Sequence, residues 1–159
     1  MASIVFALVL LALPTAAQQK EFEIATNGET DVKVNLAKKP IEVNFSIAKV
    51  KKNDPGFTLA LDYYDEVSVV RKLTISVSGE MIWVPRSVYS DLFNVRNASI
   101  RTEKESYVLV IGGADASDLY SVRVVFTSNR VISRTVYGHS VSPPRVTEIT
   151  QFSKPQVVN

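Results

Sequence analysis

The chain has 159 residues, enough for one domain to bury a core without covalent staples. It has no cysteine, which excludes a disulfide framework, a thiol nucleophile, thiolate metal sites and a lipid-modified cysteine. Its net charge of +2 is spread along the chain rather than gathered into a basic face with interleaved aromatics, which excludes nucleic acid as the expected partner.

Ile4 to Leu13, "IVFALVLLAL", is an apolar run much shorter than the about 20 residues that span a bilayer as a helix. Pro14-Thr15-Ala16-Ala17 follow, then polar Gln18-Gln19-Lys20. That order is the pattern of a secretory signal peptide, with cleavage expected after Ala17. No Lys or Arg precedes the run, so the amino terminus must supply the positive charge. Residues 1–17 are therefore expected to be removed. Residues 18–159 are expected to form one periplasmic or secreted domain with a frayed tail at 153–159 and no transmembrane segment. Asn44-Phe45-Ser46 and Asn97-Ala98-Ser99 fit the glycosylation tripeptide, a pattern that often arises by chance.

Alternation dominates the remainder. Val32–Leu36, Ile41–Ile47 and Phe57–Tyr63 are apolar at every second position, which puts one face of each strand on a core. Asn27-Gly28 and Asp54-Pro55-Gly56 read as turns between them. Val67–Val77 is a longer strand region ended by Ser78-Gly79. Met81-Ile82-Trp83-Val84-Pro85 reads as core. Pro85–Phe93 is the one helical candidate, a turn or two with Val88, Leu92 and Phe93 facing inward. Tyr107–Ile111 is apolar throughout and predicts a central strand covered on both faces. Leu119–Thr127, Val131–Tyr137 and Val146–Phe152 complete about eight or nine strands. The expected fold is all-β, an antiparallel two-sheet sandwich of immunoglobulin-like or jelly-roll-like kind. An outer-membrane barrel would need strands of about 9–11 residues with aromatic girdles, and several strands here are shorter.

Between two of these strands, Gly112 to Asp118 reads as a connection longer than the about two to five residues usual in a hairpin. The glycines permit positive φ, and Asp115, Ser117 and Asp118 satisfy backbone N–H groups in a turn. Read as a site, the same loop offers Gly112, Gly113, Asp115, Ser117 and Asp118 to a ligand. Two carboxylates fall short of the about six to eight ligands calcium takes, and no Lys follows the glycines as a phosphate loop requires. Thr127-Ser128-Asn129-Arg130 reads as a tight turn. With Ser128-Asn129 as a two-residue loop, Tyr120 faces Tyr137 and Arg123 faces Arg134. Like charges side by side want an anion, either Glu148 within the chain or the carboxylate or phosphate of a ligand bound by Arg123 and Arg134.

His139, the only histidine, reads as an exposed loop residue, and no Gly-x-Ser-x-Gly elbow accompanies it. One histidine without cysteine supports no zinc site, and no metal or cofactor is expected. Asp62, Asp65 and Glu66 cluster near Tyr63-Tyr64, and Glu103 lies close to Glu105, as the paired carboxylates of glycoside hydrolysis would, but Asp65-Glu66 reads more simply as the turn between two strands. Trp83, Tyr63 and Tyr64 are candidates for a sugar-stacking platform. Nothing in these residues resembles the signature of a characterised family. The expected function is a non-enzymatic binding module of the cell envelope, an inhibitor or assembly subunit, with an envelope protein or small ligand as partner. The alternative is a small secreted hydrolase or a carbohydrate-binding domain.

Overall fold

The computed structural model describes residues 19–51, 54, 65–114, 119–140 and 142–153. Ten strands lie in chain order: β1 (Lys20–Glu23), β2 (Gly28–Leu36), β3 (Lys39–Lys51), β4 (Glu66–Val77), β5 (Glu80–Ile82), β6 (Val95–Glu103), β7 (Ser106–Ala114), β8 (Leu119–Phe126), β9 (Val131–Gly138) and β10 (Arg145–Gln151). They form two antiparallel sheets, one of six strands in the order β1-β6-β7-β8-β9-β10 and one of four in the order β2-β3-β4-β5. The predicted sandwich is present. Its wiring is two meanders in chain order, with β1 set beside β6, whereas immunoglobulin-like and jelly-roll folds interleave strands through Greek keys. No helix among the described residues is long and apolar enough to cross a membrane.

The period-two pattern translates directly into the core. Val32, Val34 and Leu36 of β2, Ile41, Val43 and Phe45 of β3, and Leu73, Ile75 and Val77 of β4 are buried from the four-stranded sheet. They meet Ile100, Leu109, Ile111, Val122, Val124 and Phe126 of the six-stranded sheet in one cluster. Tight turns fix the registers. Ala37 and Lys38 join β2 to β3, and Ser78 and Gly79 join β4 to β5, all with positive φ. Positive φ at both central residues is the two-residue geometry that matches strand twist. As expected, β7 is an interior strand with Val108 and Leu109 buried on opposite faces.

Three strands escaped the sequence reading. β1 and β5 are only four and three residues long. β6 carries a bulge between Val95 and Asn97 that breaks its alternation. The expected strand at Phe57–Tyr63 lies outside the described residues, as does the turn residue Gly56. The helical candidate is a short 3-10 turn, Arg86–Val88, with Pro85 capping it and Val88 and Leu92 buried as expected. Trp83, assigned to the core, is 72% exposed. It follows the edge strand β5, where Ile82 takes the inward position and Val84 packs partly on the core.

The glycine-rich stretch is also corrected. β7 runs on through Ala114 and β8 starts at Leu119, so only 115–118 connect them. The connection is therefore of ordinary hairpin length. Gly112 and Gly113 are strand residues paired with Ser121 and Tyr120. They are glycines because of their neighbours. A Cβ at Gly112 would fall on the Asn97 amide, and one at Gly113 on the Tyr120 ring. Tyr120 cannot give way: its Oη donates to the Phe93 carbonyl (2.6 Å) and accepts the Phe93 N–H (3.1 Å). Its ring also packs on that of Phe93, with centroids 5.5 Å apart.

A contrast between the two glycines tests this. Gly113→Ala should cost about 1–3 kcal/mol through overpacking against a pinned ring. That lowers the melting temperature by about 2–4 °C per kcal/mol for a chain of this size. Gly112→Ala should cost clearly less, because the exposed Asn97 side chain can rotate aside. Thermal melts of the two variants decide; equal losses would mean that Tyr120 is not held.

Candidate functional site

Register decides which side chains share a face. A bulge between the Val125 and Phe126 pairs displaces β9 by one residue relative to the predicted hairpin. Tyr120 therefore faces Gly138, Arg123 faces Thr135, and Arg134 faces Val124. Because side chains alternate along a strand, the slip sends Arg123 and Arg134 to opposite faces of the sheet. The predicted arginine pair does not exist.

Arg134 shares the core-facing side with Val124 and is 2% exposed. It meets the crossover between β5 and β6. Its Nε donates to the Val88 carbonyl (3.2 Å), Nη2 to Asp91 (2.6 Å) and Nη1 to Glu148 (2.7 Å). The expected Glu148 partner is in place, joined by Asp91. Two carboxylates, each about half exposed, neutralise one buried guanidinium. The Thr150 hydroxyl, followed by Arg134, holds the Glu148 carboxyl below the usual carboxylate range against the opposing effect of burial. Beside this network lies a hollow of about 290 Å³ lined by Leu92, Phe93, Tyr120, Val122, Arg134 and Val136 among others. Burial pushes the Tyr120 phenol far above its ordinary range, only partly offset by its bond to Phe93, so it stays neutral. This side of the sheet is built to hold the crossover down.

The outer face is different. Cross-strand partners place Asn97, Gly112, Ser121, Tyr137 and Val146 in one row across β6 to β10. The next row reads Ser99, Val110, Arg123, Thr135 and Ile149. Glycine and serine in the middle of the first row leave a furrow. Three hollows, of about 360, 190 and 450 Å³, adjoin along it, and Ser121 lines all of them. His139 stands at the end of β9 with its N–H donating to the Leu119 carbonyl (2.8 Å). Its Nε2 lies 2.9 Å from Ser121 Oγ. Arg123 and Arg101 both donate through Nη2 to Glu103, Arg101 at 2.9 Å. The Arg101 bond, opposed by partial burial and aided by Arg123, holds the Glu103 carboxyl below its usual range.

Of the residues expected to form a site, Gly112 and Arg123 thus belong to this outer face. Gly113 lies under Tyr120, Arg134 is structural, and Asp115, Ser117 and Asp118 lie outside the described residues. Sequence reasoning missed Ser121, Asn97 and Tyr137. It placed His139 as an exposed loop residue, which it is, without its serine neighbour. Among the described residues no carboxylate bonds His139, and no cluster of three or more His, Cys, Asp or Glu is placed to hold a metal. Tyr63 and Tyr64, two of the three proposed sugar-stacking aromatics, lie outside the described residues. Comparison of the chain with protein-family models, with curated proteins and with solved structures finds no match.

The Arg134 network makes two predictions. Asp91→Asn or Glu148→Gln alone leaves one carboxylate against the guanidinium, whereas the double variant leaves a buried charge unpaired. The double variant should therefore lose more stability than the two singles summed, reaching about 3–5 kcal/mol in denaturant titrations. Simple additivity would mean that the arginine re-solvates. Stability should also depend on pH. The carboxyls of Glu103 and Glu148 are lowered in the folded state, so their contribution is complete above the unfolded-state value, near pH 4.3. It is lost as pH falls through the lowered folded values. Denaturation midpoints below pH 4.3 should fall less steeply in Glu148→Gln than in the parent chain.

Proposed function

We propose that this chain is an exported, non-enzymatic binding module of the cell envelope, an inhibitor or assembly subunit, whose contact surface is the outer face of the six-stranded sheet. Export is supported by the apolar run at Ile4–Leu13 and the small residues up to Ala17. The observation that carries the binding reading is the furrow across β6 to β9. Three adjoining hollows share Ser121, and polar groups from three different strands, Asn97, Ser121 and Tyr137, converge on it without being needed for the core. A rigid sheet presents such groups at fixed spacing, as a recognition surface requires. The loop after β9 adds His139 and Pro144 to its rim, in keeping with sites placed where loops meet a scaffold.

The contact between Ser121 and His139 is the one observation favouring a small hydrolase. Against it, Ser121 sits in mid-strand, where the backbone groups around it are engaged in the ladders to β7 and β9. An oxyanion needs unengaged donors aimed at it.

Expressed in an exporting host, the full chain should be recovered beginning at Gln18 by N-terminal sequencing. It should also sediment with the envelope fraction of its source. Ser121→Trp, which fills the furrow, should abolish retention, while Lys33→Trp on the other sheet should leave it intact. Retention untouched by Ser121→Trp, or covalent labelling of Ser121 by a serine-directed phosphonate, would overturn the reading.

A further inference from the structure

The largest of the outer hollows, about 450 Å³, is lined by Arg101, Val110, Ser121, Arg123, Tyr137 and His139, with Pro144 at its rim. Two guanidiniums face one carboxylate, Glu103, which engages Nη2 of each. One positive charge is left in excess, and Nε and Nη1 of both arginines have no partner among the described residues. Glu21 of β1 pairs with Ser99 on β6, two residues from Arg101 and on the same face, and it lines the adjoining hollow with Ser121. It lies three strands from Arg123, about 14 Å at the usual strand spacing and beyond the screening length of physiological salt, so the excess charge falls on Arg123. The rest of the lining is of another kind. Tyr137 offers a half-buried aromatic ring, Ser121 a hydroxyl and His139 an imidazole.

We infer that this hollow binds a carboxylate-bearing sugar, with the carboxylate on Arg123 and Arg101, the ring against Tyr137, and hydroxyls on Ser121 and His139. The proposal rests on the binding-module reading and names its ligand. A planar guanidinium recognises carboxylate through paired N–H groups, and an aromatic face suits a sugar ring. An extended peptide fits less well. Peptides dock on sheets by adding to an edge, and this hollow lies across interior strands whose backbone groups are already paired. The pairing with Glu103 shows where a carboxylate sits between these arginines, and it makes Glu103 a competitor for the ligand.

The test is calorimetric titration of the full chain with oligogalacturonate, the matching neutral oligogalactoside, and inorganic phosphate. The acidic oligosaccharide should bind, the neutral one at least ten-fold more weakly, and phosphate alone not measurably. Arg123→Gln should weaken binding ten-fold or more, and Tyr137→Ala likewise. Glu103→Gln should tighten binding, a sign that a merely structural role would not give. If Arg123→Gln melts below the assay temperature, Arg101→Gln takes its place. Equal binding of the neutral sugar, phosphate binding as tight as the sugar, or weaker binding in Glu103→Gln overturns the inference. Failure here while Ser121→Trp still abolishes envelope retention rejects the ligand class and leaves the module reading standing. Failure of both rejects both.

Discussion

A buried guanidinium on the core side of a sheet is the constraint around which the crossover is arranged. Arg134 lies where an apolar residue would ordinarily point, opposite Val124. A charge there must be neutralised, because the interior solvates it poorly. The chain meets this need by bringing the 3-10 turn and Asp91 down from the crossover and Glu148 across from the edge strand. Three separate stretches, the crossover, β9 and β10, are thereby tied at one point. Tyr120 makes a second tie a few residues away, gripping both backbone groups of Phe93. The long connection between the sheets is therefore clamped rather than draped, and the path of β6 beside β1 follows from where it ends.

That arrangement frees the other side of the same sheet. With the core-facing groups of β8 and β9 committed to the crossover, alternation leaves Ser121, Arg123, Thr135 and Tyr137 pointing away from it. The rows they form are interior to the sheet and rigid, yet small residues at Gly112 and Ser121 keep the surface indented. Val108 is fully buried on this outer side, and Val110 and Val125 are half-buried. The face is thus more apolar than a solvated sandwich surface requires, with its charges at Arg101, Glu103 and Arg123 and at Glu21 and Glu23 on the bordering β1.

Much of the fold was legible because alternation is a local property. Val32, Val34, Ile41, Val43 and Phe45 declare their face within a few residues, and the structure buries each of them. Where alternation fails, the reading failed too. The bulge at the start of β6 removed the signal of a nine-residue strand. The bulge in the hairpin of β8 and β9 moved one arginine through the sheet. A bulge is a single inserted residue with no distinctive composition, so its cost to a register argument is total and its trace in the sequence slight. Gly112 and Gly113 misled for a related reason. Glycine was read for its freedom, whereas here it serves for its lack of volume beside Asn97 and Tyr120, neighbours that only the register reveals. The Ser121–His139 contact was invisible for the same cause, since it joins residues brought together across two strands.

The placement of β1 has a consequence for how the molecule comes into being. Lys20 pairs with Ile100, and the whole four-stranded sheet is made by the chain between them. A polypeptide made amino end first thus delivers one border of the larger sheet well before the strand that border must join. The hairpins of β2 to β5 close locally and early, while β1 waits with Phe22 as the one residue of KEFE that packs on the core. The order of synthesis and the order of assembly therefore diverge at this one seam.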